Sequence, residues 1–183
     1  MPGLKKKGFS LIEVLVSLLV LAIGVIGAAG MQLAAARTAQ QSAFQTFALQ
    51  LAAEMADAMR AGGGQLESMW AMDYSSANDG EPVTPARFCY ADSCNAQEFA
   101  EFQLYEWKKR VKTGLPAGRV LVCRDATPWD SVRRSLSWSC EGGAGEEAPL
   151  VVKLGWQAKN PDGSLVKDAG NSFPPNVVLT VAL

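Results

Sequence analysis

Two groups of residues in this chain have the types and spacing to do chemistry. One is a single carboxylate, Glu13, inside an apolar run; the other is the four cysteines, Cys89, Cys94, Cys123 and Cys140. Glu13 follows Lys5-Lys6-Lys7-Gly8 by five residues, and no cation occurs between Val14 and Ala36. An anion in a bilayer-length helix costs about 2.5 to 3.5 kcal/mol at mid-helix and less near an end. The charge that compensates Glu13 must therefore come from outside the run. The cysteines include no Cys-x-x-Cys pair, and the chain has no histidine. That spacing disfavours a zinc centre and a thioredoxin-like redox motif and favours disulfides, for which three connectivities exist. We expect Cys89 with Cys94, across a tight loop, and Cys123 with Cys140, joining two strands.

The absence of histidine removes Ser-His and Cys-His nucleophile pairs. There is also no Gly-x-Ser-x-Gly elbow, no Walker loop and no metal-protease helix motif. Glu146-Glu147 lies in a Gly-rich stretch where solvation is the default reading. Met55, Met59, Met69 and Met72 read as core filler rather than a ligand surface. We expect no enzyme, no catalytic residue, no cofactor and no metal. With 17 Lys+Arg against 18 Asp+Glu the chain carries no general attraction for phosphates, and without Lys5, Lys6 and Lys7 the balance would be 14 against 18. The dense basic run Lys108, Lys109, Arg110 and Lys112 is read as a solvated helix face, and no nucleic-acid partner is expected.

The elements that must position Glu13 and the cysteines follow from periodicity. Val14 to Met31 is 18 uncharged residues, about 27 Å as a helix against a hydrocarbon thickness of roughly 30 Å. This is long enough to span a bilayer. Three lysines before the span and Arg37 after it place the N-terminus in the cytoplasm by the positive-inside rule. Gly24, Gly27 and Gly30 allow either close helix contact or local unwinding. From Gln32 to Arg60 there is no Gly or Pro, and Phe44, Phe47, Ala48, Leu51, Met55 and Met59 recur at helical steps. Gln41, Gln45, Glu54 and Asp57 are expected on the opposite side. One helix from about Phe9 to Arg60, roughly 78 Å long, should end at Gly62-Gly63-Gly64.

A turn-rich stretch from Asp73 to Pro85 follows. Asn95-x-x-Glu98 then reads as the capping box of a second helix carrying Phe99, Phe102, Leu104, Trp107 and Val111, closed by Gly114 and Pro116. Strands are expected at about Arg119 to Arg124, Ser135 to Cys140, Leu150 to Ala158 and Asn176 to Leu183, with a turn at Asn160-Pro161-Asp162-Gly163. The fold class is α+β: a long N-terminal helix packed on a small antiparallel β-sheet.

The run Lys-Lys-Lys-Gly-Phe-Ser-Leu-Ile-Glu-Val-Leu, residues 5 to 15, resembles the leader and cleavage junction of type IV prepilins. That resemblance implies a leader of residues 1–8 removed between Gly8 and Phe9, N-methylation of Phe9, and a subunit-assembly role for Glu13. Phe9 and Glu13 are four residues apart, roughly 6 Å of helical rise, so an axially shifted neighbour could set its Phe9 ammonium beside this Glu13. The implied organisation is a transmembrane and assembly helix over 9–61 and a periplasmic α+β domain over 62–183. The segment from Cys89 to Leu115-Pro116-Ala117-Gly118, with Tyr105, Trp107 and Lys108, resembles the PilV type of minor pilin, the type IV pilus modification proteins. The implied role is to join other minor pilins, prime pilus assembly at the tip, and support adhesion and twitching motility. The implied partners are prepilin peptidase, the inner membrane, other minor pilins, the major pilin and a tip adhesin. A minor pseudopilin of a type II secretion system and a single-pass envelope protein outside any filament remain as alternatives.

Overall fold

The computed structural model describes residues 8–61, 71–91, 93–141, 148–160, 162–167 and 173–181. Lys5 to Lys7, Gly62 to Gly64, Met69, Glu146-Glu147 and Pro161 lie outside the described residues. The chain divides into two compact units, up to Gln40 and from Gln41 onward.

The first unit is the N-terminal part of helix α1, Leu11–Ala61. The helix begins two residues later than Phe9. The Ser10 carbonyl accepts the Glu13 N–H at 3.0 Å and the Val14 N–H at 3.3 Å, so Ser10 occupies the flanking position that receives the first intrahelical bonds. Gly24, Gly27 and Gly30 are helical, and a Cβ added at any of them would meet nothing within 4 Å. The three glycines therefore form open surface here and do not unwind the backbone. Leu11, Leu15, Leu18, Val25, Ile26 and Met31 are all exposed.

In the second unit, α1 from Gln41 onward buries Ala48, Leu51, Ala52, Met55, Ala56 and Met59. These sit at the three- and four-residue steps that give a helix one apolar stripe. The stripe belongs to the same core as Met72, Tyr74, Trp107, Val111, Val120, Val122, Val152 and Leu154. The rest of the unit comprises β1 (Met72–Ser75), helix α2 (Ala96–Gly114), β2 (Arg119–Arg124), β3 (Trp129–Asp130), β4 (Ser135–Leu136), β5 (Leu150–Gly155) and β6 (Val177–Val181). The main sheet is antiparallel in the order β1-β2-β5-β6, and β3 and β4 form a separate two-stranded ladder. The architecture is α+β, with a long N-terminal helix packed on a small antiparallel sheet.

Helix α2 starts as its capping box requires. The Asn95 side chain accepts the Glu98 N–H at 2.9 Å, and the Glu98 carboxylate accepts the Asn95 N–H at 3.0 Å. β2 and β5 pair from Arg119↔Gly155 to Arg124↔Leu150. Alternation along β5 sends Leu150, Val152 and Leu154 to the helix-covered core and Val151 and Lys153 to the other face. All six β5 residues are nevertheless buried, so the second face is covered as well. The cover comes from the chain between Asp125 and Glu141: the Ser137 and Ser139 carbonyls take the Lys153 ammonium and the Trp138 ring lies over Gly155.

Two expectations need correcting. Residues 72–75 form the edge strand β1 rather than part of a turn region, paired from Met72↔Val122 to Ser75↔Arg119. A two-point ion pair supports it, with Arg119 on Asp73 at 3.1 and 2.9 Å. The strand expected over Ser135 to Cys140 is a ladder only at Ser135 and Leu136. Beyond it the Ser139 N–H bonds the Ser137 hydroxyl at 3.1 Å, a local bond that competes with sheet pairing. The Ser137 and Ser139 carbonyls are taken by the Lys153 ammonium.

Candidate functional site

The sequence-derived site residues fall into two groups. Gly8, Phe9 and Glu13 lie at the N-terminal end of α1, and the cysteines staple the second unit. Phe9 is 82% exposed and precedes the first helical turn; Glu13 lies within that turn. The four unsatisfied N–H groups of a helix start favour a carboxylate by about 0.3–1 kcal/mol. That is less than the cost of about 2.5 to 3.5 kcal/mol for a carboxylate at mid-helix in lipid, a cost that the position of Glu13 in the first turn also lowers. Among the described residues no cation is paired with Glu13. The surrounding surface, from Leu11 to Leu33, is apolar and exposed on every side of the helix. A helix apolar all round is suited to lipid or to packing by other helices, and α1 is long and apolar enough to cross a membrane.

The cysteines form Cys89–Cys94 and Cys123–Cys140, with Cα separations of 5.9 and 6.2 Å. Cys89–Cys94 closes the loop immediately before the α2 capping box. Phe88 and Tyr90 flank Cys89 and stack at 6.0 Å, and Tyr90 packs edge-on to Phe102 of α2 at 4.9 Å. The Tyr90 hydroxyl donates to Glu106 at 2.7 Å, and this bond raises the phenol's pKa above its ordinary value. Cys123 is on β2, as expected. Cys140 is not on a strand; it ends the segment that covers the second face of β5.

That segment depends on a pair that sequence reasoning missed. Lys153 on β5 and Asp125 just after β2 are both fully buried and form an ion pair. The ammonium also donates to the Ser137 and Ser139 carbonyls. Asp125 Oδ1 accepts the Thr127 N–H at 2.9 Å and the Glu141 N–H at 3.3 Å. One lysine thus ties both arms of the segment to the central sheet. The signal was available as a lone lysine in Leu150-Val151-Val152-Lys153-Leu154, because a charge on a buried strand demands a partner.

The polar residues of α1 and the basic run of α2 also differ from expectation. Glu54 and Gln41 do not all point away from the core. Glu54 accepts the Trp107 indole N–H at 3.3 Å and Arg110 at 2.6 Å, and Gln41 accepts the Trp156 indole N–H at 3.4 Å. Buried indoles need such acceptors. The Arg110 bond holds the Glu54 carboxyl below its ordinary pKa. Lys112 pairs with Glu81, and Lys109 lies 5.6 Å from the centre of the Tyr105 ring. The run Lys108 to Lys112 is therefore partly neutralised within the fold and is not simply a solvated face.

Residues 3–29 match the model described as the Prokaryotic N-terminal methylation motif. No curated protein and no solved structure matches the chain. The match covers Lys5 to Lys7, Gly8, Phe9, Glu13 and most of the apolar run, and with the helix-on-sheet fold it supports a type IV pilin-like or pseudopilin protein.

Proposed function

We propose that this chain is a minor pilin of the PilV type. It is inserted in the bacterial inner membrane with its N-terminus in the cytoplasm, cut by prepilin peptidase between Gly8 and Phe9, and N-methylated on Phe9. Residues 9–61 then serve as the transmembrane and assembly helix, and residues 62–183 as the periplasmic domain. The mature subunit joins other minor pilins and the major pilin, primes a type IV pilus at its tip, and supports adhesion and twitching motility. The observation that carries this reading is the methylation motif over residues 3–29, in which Glu13 sits within an exposed apolar helix surface. A buried ion pair adds little net stability but fixes register well, which suits a Glu13 neutralised by the Phe9 ammonium of an axially shifted neighbour. Two disulfides agree with an oxidising compartment outside the cytoplasm.

Two measurements test the proposal. Mass spectrometry of protein from envelopes should find a mature chain beginning at methylated Phe9; a chain that retains Met1 or Pro2 would refute processing. Crosslinking in envelopes, with identification of neighbours, should capture minor pilins of a pilus for the native chain. It should capture markedly fewer for Glu13→Leu, inserted to the same level. Capture of secretion-system pseudopilins instead would assign the chain to a type II secretion filament.

A further inference from the structure

We propose that the cleft between the β3–β4 hairpin and the residues preceding Cys140 binds a neutral pyranose ring of an oligosaccharide. The cleft has a volume of about 360 Å³ and is lined by Trp129, Ser131, Arg133 and Glu141, with Thr127 and the Ser137–Ser139 pair completing the wall. That volume falls within the range of about 300–1,000 Å³ usual for small-ligand clefts.

Trp129 is the informative residue. Of the four tryptophans among the described residues, Trp107 and Trp156 are buried, with indole N–H groups on Glu54 and Gln41. Trp138 is half-buried beneath the Arg119 guanidinium at 4.5 Å and donates to the Phe173 carbonyl at 2.8 Å. Trp129 alone is largely exposed, at 56%, and among the described residues its indole N–H has no acceptor. Such a ring presents a flat apolar face and a polar N–H to solvent at the mouth of the cleft. The C–H face of a pyranose can stack on that face, while a hydroxyl of the next sugar along the oligosaccharide accepts the in-plane N–H.

The polar wall matches a polyol. Arg133 spends one guanidinium nitrogen on Asp130 at 2.8 Å, and its remaining N–H groups are available as donors. Glu141 brings an acceptor-only carboxylate; Ser131 and Thr127 bring hydroxyls that donate or accept. Sugar hydroxyls, each both donor and acceptor, suit this mixed set. Charge selects among sugars: Asp130 and Glu141 against Arg133 leave the cleft one unit negative, which repels uronates, sialates and phosphates.

The site is also held in place without ligand. Asp130 Oδ1 accepts the Val132 and Arg133 N–H groups, each at 2.9 Å, and the Arg133 N–H bond keeps its carboxyl ionised to lower pH than usual. Below it, Asp125–Lys153 and Cys123–Cys140 fasten the flanking backbone to the sheet. Ordering of the site is thus completed before binding. The inference does not depend on which filament the chain joins.

The test uses the full chain in a detergent that lacks a sugar head group, probed on an array of neutral oligosaccharides (β-galactosides, β-glucosides, α-mannosides and N-acetylhexosaminides) beside their sialylated counterparts. The expected result is binding to at least one neutral class, weakened about tenfold or more in Trp129→Ala and reduced in Glu141→Gln. Arg134→Ala, on the same hairpin but outside the cleft, should bind as the native chain does. An unchanged melting profile with both disulfides intact in each variant separates loss of ligand contact from loss of fold. No binding to any neutral class, binding indifferent to Trp129→Ala, or preference for the sialylated series would each overturn the proposal.

Discussion

Replacing Lys153 by Met removes the charge while leaving an unbranched side chain of similar length on β5. The variant leaves Asp125 as a buried carboxylate retaining only the Thr127 and Glu141 N–H groups, and it strips the Ser137 and Ser139 carbonyls of their ammonium donor. Breaking a buried pair by deleting one partner costs about 3–5 kcal/mol. Small domains have a total of only about 5–15 kcal/mol. Little relief is available from movement, because Lys153 lies on β5 between β2 and β6, paired with Leu121 and Val178. Urea unfolding of the full chain in detergent, followed by tryptophan fluorescence with both disulfides intact, should show the midpoint falling by about 2 M at a slope near 2 kcal/mol per M. Asp125→Leu should also destabilise, since it orphans two N–H groups and leaves the buried ammonium without its counterion. The double variant should be less destabilised than the two losses combined, with a coupling of roughly 0.5–3 kcal/mol. A Lys153→Met midpoint that corresponds to less than about 1 kcal/mol, or strict additivity in the cycle, would refute the claim that this pair holds the cover on the sheet.

Three further outcomes follow from the same geometry. Asn95→Ala removes one half of the α2 capping box and should lower stability by about 1 kcal/mol, read as a drop in melting temperature, whereas Asn95→Asp should be close to neutral. Gly155→Ala places a Cβ 2.7 Å from the Trp138 ring and 3.0 Å from the Pro174 carbonyl oxygen, and the crowding should cost about 1–3 kcal/mol in urea unfolding. Glu54 has a folded pKa depressed by Arg110 from an ordinary 4.5, so its contribution is present above that value and is lost as pH falls through the folded pKa. Because both side chains are more than a third exposed, Glu54→Gln should change stability at pH 7 by less than about 1 kcal/mol and should flatten the native chain's acid-side loss below pH 4.5.

Much of this fold was legible because the controlling interactions are local in sequence. The apolar stripe from Ala48 to Met59, the Asn95–Glu98 box and the runs that became β2, β5 and β6 each announce themselves within a few residues. The cysteine pairs were legible from their places, one beside a tight loop and one tied to β2. What was hidden depends on partners far along the chain. Met72–Ser75 carries no strand pattern of its own and is made a strand by β2 and by Arg119, 46 residues away from Asp73. Ser135 to Cys140 alternates perfectly yet leaves the ladder, because a lysine on another strand claims its carbonyls. Glu54 and Gln41 read as solvent-facing until the indoles of Trp107 and Trp156 are known to need acceptors. At the proposed assembly site, residue identities are readable in the motif, whereas the ion pair proposed for them requires a second chain.

The two units satisfy their polar and apolar groups by opposite means. In the second unit β5 is paired on both edges, by β2 and β6, and its far face is covered by chain that makes few ladder bonds. Such a cover has little intrinsic hold, which explains why the Cys123–Cys140 crosslink, worth about 3 kcal/mol for a loop of this length, and the Lys153 clamp converge on it. With the flanking backbone secured, the hairpin carrying Trp129 and Arg133 can vary its exposed side chains at small cost to the fold, the usual condition for a recognition surface. Among the described residues of the first unit no internal cover exists: the apolar side chains face outward on all sides, and a surface of that kind in water would associate or precipitate. It becomes tenable only in lipid or against other helices. There the single carboxylate at Glu13 favours the arrangement that brings it a cation.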